Sequence, residues 1–286
     1  KGRNIVGANC PQKERNAALK ERSGSRILLA EDNPVNQEVA CQMLSAAGMA
    51  VTVVDDGQKA VEAAQAGEYD LILMDIQMPV MDGLQATRAI RALPRGAEVP
   101  ILAMTANAFD EDRKKCLKAG MNDHIAKPVE IGDLYARLIR WLPARPTKPD
   151  AGFAEGGVLP ESAAPGSVRD PDAVRLLRSV NGLDVEFGLN SMLGDARHYA
   201  RLLRMFQNKH AGDGDEMRRL LKSGDLSGIH RAAHALKGAS GTLGLTEIQR
   251  LAGSLEQAAA GSEAEPAVTK CADALCLELE QTMDAL

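Results

Sequence analysis

The sequence predicts two domains, a doubly wound five-stranded parallel α/β sheet followed by an all-α antiparallel helical bundle. Three observations carry this expectation. Over residues 25–143, short runs of branched apolar residues alternate five times with longer amphipathic runs. Those short runs are near-continuously apolar, as strands of a parallel sheet covered on both faces must be. Residues 169–286 hold no strand-like run and repeat apolar residues at helical spacing.

Residues 1–24 are polar and read as a tail or linker, with six basic and two acidic side chains in residues 1–25. The first strand is expected at 26–30 (RILLA) and the first helix at 34–47, with Asn33 as N-cap, Pro34 at its first position and Gly48 just past its end. Strands at 50–54, 70–74, 99–104 and 122–126 then alternate with helices near 57–66, 83–92, 107–119 and 131–142. Right-handed crossovers make such a series a doubly wound sheet, which binds ligands at the carboxyl ends of its strands.

A stretch rich in Pro, Gly and Ala runs from 143 to 171 without periodicity, and residues 144–168 are assigned as a flexible linker. About 25 flexible residues span roughly 25–30 Å root-mean-square. The second domain, 169–286, is expected to hold helices near 172–179, 184–192, 195–210, 214–222, 225–242, 244–260 and 266–285. "YARLLRMF" and "LAGSLEQAAA" show the helical period most clearly.

Composition excludes some functions. The net charge of -5 and 3% aromatic content argue against a nucleic-acid surface. The basic excess is confined to the first 25 residues; residues 26–143 hold 12 basic and 17 acidic side chains, and residues 168–286 hold 14 and 17. No apolar run is long enough to cross a bilayer and no signal-peptide pattern is present, so no direct membrane contact is expected in this segment. The five cysteines form no CxxC and read as small apolar fillers of a reduced, cytoplasmic chain. The chain starts with Lys1 and is read as a fragment of a longer protein.

The stretch "DLILMDIQMPVMDG" at 70–83 ends an apolar run in a carboxylate. The predicted strand ends explain why. Glu31 and Asp32 follow the first strand, Asp75 ends the third, Thr105 ends the fourth and Lys127 follows the fifth. A parallel sheet brings them to one edge, although up to 96 residues separate them. Two like charges ~4 Å apart cost about 4 kcal/mol at an effective dielectric of 20. A divalent cation relieves this, and hard oxygen ligands in a partly hydrated site suit Mg2+. A carboxylate beside Mg2+, a lysine and a hydroxyl is equipment for phosphoryl transfer, with Asp75 as nucleophile. Taken singly, these residues read as a strand cap, a solvated turn at Glu31-Asp32, and a turn at Lys127-Pro128 with a cis bond. Their joint placement is what favours chemistry.

Residues 25–143 resemble a response-regulator receiver domain, with a flavodoxin-like fold. "ILLAEDNPVNQEVA", "LILMDIQMPVMDG", "ILAMTANA" and "HIAKP" match its motifs in order, and "EDNPVNQ" is most similar to receivers of hybrid sensor kinases. The resemblance implies Asp75 as phosphoacceptor, with Asp32, Asp75, the backbone carbonyl of Gln77, and Glu31 through water as the Mg2+ ligands. It implies Thr105 as the switch hydroxyl and Lys127 as the phosphate-binding lysine. One departure is His124, which stands where the family often has an aromatic switch residue.

In the second domain, "HALKGASGTLGL" begins at His234. On a helix His234, Lys237, Gly238 and Gly241 share a face, and Lys237 can neutralise charge on a phosphorylated imidazole. Two helical glycines cost roughly 1 kcal/mol each, which a close partner approach would justify. The plainer reading is a histidine in the bundle seam. His230 and His234 are also spaced as a metal pair, but "HRAAH" lacks a zinc protease's glutamate. His198 and His210 are expected on solvated helix faces. Residues 169–286 resemble a histidine phosphotransfer (HPt) domain, which implies His234 as the phosphorylatable residue, supported by Lys237 and Gly238.

The two resemblances together imply the carboxyl-terminal phosphorelay half of a hybrid sensor histidine kinase, the cytoplasmic part of a membrane-bound sensor. Its partners are a histidine kinase core as donor to Asp75 and a receiver domain exchanging phosphate with His234. Residues 1–24 then lead from a kinase core; this chain has no stretch resembling an ATP-binding core and no GxxxxGK[ST] loop. One rival is an aspartate-nucleophile phosphatase, which typically presents Asp-x-Asp where this chain has Gln77. The other is a pure docking module carrying no phosphate.

Overall fold

The computed structural model describes residues 12–94, 96–105, 110–144, 171–261 and 265–286, which form two compact units. In the first, helix α1 (Gln12–Lys20) precedes five strands: β1 (Arg26–Ala30), β2 (Ala50–Val54), β3 (Leu71–Asp75), β4 (Ile101–Thr105) and β5 (Asp123–Ala126). All pair in parallel, in the order β2-β1-β3-β4-β5. The order reverses at β1 and β3, so the ends of these two strands flank the switch point where such sheets place their sites.

The expected burial holds for the inner strands. β3 and β4 are buried along their whole length, and Ile27 to Ala30 of β1 are fully buried. Each such aliphatic side chain contributes roughly 1.5–3 kcal/mol. β2 departs from the expectation of cover on both faces: no residue of it is buried and Val53 is 39% exposed, because it is an edge strand.

Helices α2 (Pro34–Ala46), α3 (Gly57–Ala66), α4 (Gly83–Ala92), α5 (Asp110–Ala119) and α6 (Ile131–Trp141) connect and flank the strands. The caps are local. Asn33 Oδ1 accepts from Val35 N–H at 3.0 Å, as its N-cap assignment requires, and Gly48 takes φ +78° past the helix end. Asp56 and Asp82 cap α3 and α4 by accepting from Lys59 and Gln85 N–H at 2.8 and 2.7 Å. Residues 107–109 of the expected fifth-strand lead-in helix, and 145–168 of the expected linker, lie outside the described residues.

Helix α1 occupies residues that the sequence reading took as a tail. It lies against α6, and beyond its end the Arg22 guanidinium donates to Ala18 O at 2.6 Å and Leu142 O at 3.0 Å. Its sequence QKERNAALK offers one large apolar side chain, Leu19, which is 4% exposed. A single apolar residue produces no period to read.

The second unit holds α7 (Pro171–Leu177), α8 (Val185–Ser191), α9 (Ala196–His210), α10 (Asp213–Ser223), α11 (Leu226–Leu243), α12 (Thr246–Ala260) and α13 (Glu265–Ala285). Asp184, Asp195 and Asp225 cap α8, α9 and α11, and Gly244 ends α11 at φ +77°. The short turn at Gly244-Leu245 folds α12 back on α11, as antiparallel bundles do. Tyr199 and Phe206 of α9 are fully buried, and the Tyr199 hydroxyl donates to Leu243 O at 2.6 Å. Among the described residues, no helix is long and apolar enough to cross a membrane.

One histidine expectation is corrected here. His210 is not on a solvated face: it is 4% exposed, its Nδ1 lies 2.7 Å from Asp213 Oδ2, and its ring packs against that of Phe206 in a tilted arrangement with centroids 4.6 Å apart. It stands four residues after Phe206 and seven after Leu203, so it falls on the apolar stripe of α9. His198, on the same helix, is partly buried.

Candidate functional site

Two clusters emerge, one in each unit. In the first, β3 runs to Asp75, whose Cα partner on β4 is Met104. The loop beyond it closes tightly: Gly83 N–H donates to Ile76 O at 2.9 Å, and a Cβ on Gly83 would lie 2.0 Å from Asp75 O. Only glycine fits there. The DG of the motif therefore fixes the strand end that carries the carboxylate, while Asp82 starts α4.

Glu31, Asp32 and Asp75 each offer a carboxylate oxygen, and these lie within 4.8 Å of one another. Lys127 enters from the end of β5, with Nζ 2.6 Å from Glu31 Oε2 and 2.7 Å from Asp75 Oδ2. Asp75 Oδ1 also accepts from Gln77 N–H at 3.2 Å. Lys127 N–H donates to Thr105 O at 2.7 Å, which locks the ends of β4 and β5 together, and Thr105 is buried. The Lys127-Pro128 bond is cis. Burial alone would lower the Lys127 pKa; the Asp75 and Glu31 carboxylates outweigh it and hold the ammonium above its ordinary value. The sheet thus brings together Glu31, Asp32, Asp75, Thr105 and Lys127. Gln77 is exposed beside them, and His124 lies on β5 opposite Ala103, partly buried.

Three carboxylates and one ammonium leave a formal charge of about -2 when all are ionised, which one divalent cation would balance. Among the described residues, this is the group of three or more ligating side chains close enough to share an ion. Its donors are all oxygens, the set that suits Mg2+.

The second cluster spans α11 and α12. His234 Nδ1 lies 2.6 Å from Glu256 Oε1, and Lys237 Nζ lies 2.9 Å from Glu256 Oε2. Glu256 is 5% exposed. Burial would raise its pKa, but His234 and Lys237 more than reverse that and bring it from 4.5 down to about 2. An ionised carboxylate only accepts hydrogen bonds, so Nδ1 carries a proton, and in the neutral imidazole the lone pair is then on Nε2. His230, one turn earlier, is partly buried. Gly241 departs from the expectation of a partner-facing glycine: a Cβ there would lie 2.5 Å from Gln249 Nε2, so its missing side chain admits α12.

Glu256 escaped the sequence reading. The signal was present in "LAGSLEQAAA", where Ala252, Leu255, Ala258 and Ala259 are buried and Glu256 shares their stripe. A carboxylate among apolar stripe positions has to find a partner.

Residues 27–139 match the family model described as response regulator receiver domain, and residues 201–286 match the Hpt domain. The signal transduction histidine-protein kinase BarA of Escherichia coli (strain K12) is 31% identical over 231 residues, 81% of this chain and 23% of that protein. Sensor protein GacS of Pseudomonas syringae pv. syringae is 31% identical over 227 residues, 78% of this chain and 23% of that protein. This chain therefore spans less than a quarter of these relatives. Among solved structures, the receiver domain of sensor histidine kinase PA1611 from Pseudomonas aeruginosa PAO1, with a magnesium ion in its active site cleft, is 54% identical at a TM-score of 0.40. That match covers 42% of this chain and 98% of that one.

Proposed function

This chain joins a response regulator receiver domain to an Hpt domain, and from that premise we propose that Asp75 and His234 are the two phosphoryl carriers of a two-component phosphorelay. The observation that carries the proposal is the pairing of two prepared nucleophiles. Asp75 is held at a strand end between a lysine and two further carboxylates. His234 is held by Glu256 in the tautomer that leaves Nε2 free to attack.

At the receiver, an Asp75 carboxylate oxygen attacks the phosphorus of a phosphohistidine. The new P–O bond forms as the P–N bond breaks, and the bonding pair returns to the donor imidazole. The Lys127 ammonium is already in place to meet an equatorial phosphoryl oxygen, and the Thr105 hydroxyl is the assigned donor to another. Asp32, Asp75 and the Gln77 carbonyl, with Glu31 through water, are the groups that would hold Mg2+. Bound there, the ion would offset the repulsion between an incoming phosphoryl group and the carboxylates.

At the second site, Nε2 of His234 attacks the phosphorus of a receiver's acyl phosphate. The P–O bond breaks and its electron pair stays on the aspartate. The imidazole gains positive charge, which Glu256 stabilises through Nδ1–H, and Lys237 can turn from Glu256 to the phosphoryl oxygens.

We place the receiver at 25–143 and the Hpt domain at 169–286, with 1–24 leading in and 144–168 as the linker. Extending the Hpt domain to α8 is supported by Asp184 N–H donating to Gly244 O at 2.8 Å and Thr246 N–H donating to Gly182 O at 3.1 Å. In this reading the segment serves a hybrid sensor histidine kinase at the cytoplasmic side, taking phosphate from a kinase core and exchanging it with a receiver.

The assignment at His234 is tested by loading the full chain from a labelled small phosphodonor. His234→Gln should lose the acid-labile label and His230→Gln should keep it; the reverse pattern would move the site.

A further inference from the structure

The sequence contains one Asn-Gly dipeptide, Asn181-Gly182, and it lies in the turn between α7 and α8. Both residues are exposed. Gly182 takes φ +75°, a conformation that glycine adopts without steric cost, so the turn itself calls for glycine after the asparagine. Among the described residues, neither the Asn181 side chain nor the Gly182 N–H makes a hydrogen bond. Other asparagines are held: Asn33 Oδ1 accepts from Val35 N–H at 3.0 Å, and Asn122 Oδ1 accepts from Ile101 N–H at 2.8 Å. Asn181 is thus free to turn its side-chain carbonyl towards an amide nitrogen that no Cβ screens.

The residues that follow have no such freedom. Gly182 O accepts from Thr246 N–H at 3.1 Å and from Thr246 Oγ1 at 3.2 Å, and Asp184 N–H donates to Gly244 O at 2.8 Å. Leu183 pairs with Leu245 between them, and Leu245 is 1% exposed. The fit is close: a Cβ on Gly244 would lie 2.6 Å from Asp184 O. Residues 182–184 therefore clasp the turn that joins α11, with His234, to α12, with Glu256.

We propose that Asn181 is a site of spontaneous modification, an asparagine that converts to isoaspartate through Gly182, and that the conversion releases this clasp. Hydroxide removes the Gly182 amide proton, and the nitrogen attacks Cγ of Asn181. The new C–N bond closes a succinimide ring, the Cγ–Nδ2 bond breaks, and ammonia leaves with a proton from water. Water then opens the ring. Opening at the side-chain carbonyl gives aspartate. Opening at the main-chain carbonyl gives isoaspartate, whose backbone runs through Cβ. That path adds an atom to the chain just before Gly182, where the paired residues leave no slack to absorb it.

The test ages the full, folded chain in mildly acidic and mildly basic buffer and follows its tryptic peptide 179–197 by mass spectrometry. The same peptide holds an internal control, Asn190, which is exposed on α8 and followed by Ser191. Deamidation at Asn181 should run about tenfold or more faster than at Asn190, in proportion to hydroxide concentration. Enzymatic methylation of isoaspartate should label the aged peptide. Hydrogen-exchange protection of the Asp184 and Thr246 amides should fall about tenfold or more in the isoaspartyl chain. Asn181→Asp adds the charge without the extra backbone atom and should keep the parent protection. Asn181→Gln, whose larger ring closes slowly, should age without change at this position. Equal rates at Asn181 and Asn190, or absence of isoaspartate from the aged peptide, would overturn the modification site. Parent protection in the isoaspartyl chain, or an equal loss in Asn181→Asp, would overturn the release of the clasp.

Discussion

Glu256 joins stability to reactivity, and replacing it separates the two. Its carboxyl sits 2.6 Å from His234 Nδ1 and 2.9 Å from Lys237 Nζ, and is brought from 4.5 to about 2. At about 1.4 kcal/mol per unit, this drop corresponds to roughly 3 kcal/mol of folded-state stabilisation. The folded value is depressed, so the contribution is complete above pH 4.5 and is lost as pH falls towards about 2. Glu256→Gln removes the charge but keeps an oxygen that can accept from Nδ1–H. It should cost about 1–3 kcal/mol at pH 7 and abolish this acid-side decline, while retaining most phosphorylation of His234. Glu256→Met removes the acceptor too, and should slow phosphorylation about tenfold or more. Amide hydrogen exchange in α11 and α12 reads the local stability, carboxyl-carbon NMR reads the titration, and a labelled phosphodonor reads the rate. A Glu256 midpoint near 4.5, or a Glu256→Met chain phosphorylated at the parent rate, would refute the reasoning.

Three further outcomes are expected at the receiver. Lys127→Met leaves Glu31 and Asp75 facing each other without the ammonium; it should destabilise the unit by about 2–4 kcal/mol and cut loading from acetyl phosphate at least tenfold. Urea unfolding followed by Trp141 fluorescence, together with label incorporation, checks both effects. Gly83→Ala drives a Cβ to within 2.0 Å of Asp75 O, and should cost more than ~2 kcal/mol by the same fluorescence measurement while slowing phosphate acceptance. EDTA should stop labelling of Asp75 and leave the thermal melt by circular dichroism intact; labelling that persists in metal-free buffer would remove Mg2+ from the account.

The sheet was legible because its inner strands are near-continuously apolar, and because the first helix start is strongly marked. Asn33-Pro34 marks a helix start that the structure realises with a side-chain cap, while the caps at Asp56 and Asp82 are seen in the structure only. β1 and β2 fall where expected, while β3, β4 and β5 shift by one or two residues at an end, as at Leu71–Asp75 against 70–74, since pairing rather than composition sets their ends. The gathering of Glu31, Asp32, Asp75, Thr105 and Lys127 followed from parallel topology alone. Their mutual distances did not, and the lysine bridge between Glu31 and Asp75 was not foreseen. Glu256 and His210 were missed for one reason: each is a titratable residue on an apolar stripe, and only the facing helix shows what satisfies it. Helix α1 was missed because its nine residues bury little.

The central claim is that Asp75 receives phosphate from a phosphohistidine. It is tested most directly by mixing the full chain with a histidine kinase core carrying labelled phosphate, then mapping the label after proteolysis. The account predicts alkali-labile label on residues 25–143 of the parent chain, and none there in Asp75→Asn, which keeps the shape of the side chain but not its nucleophile. Undiminished label on that segment of Asp75→Asn would contradict it.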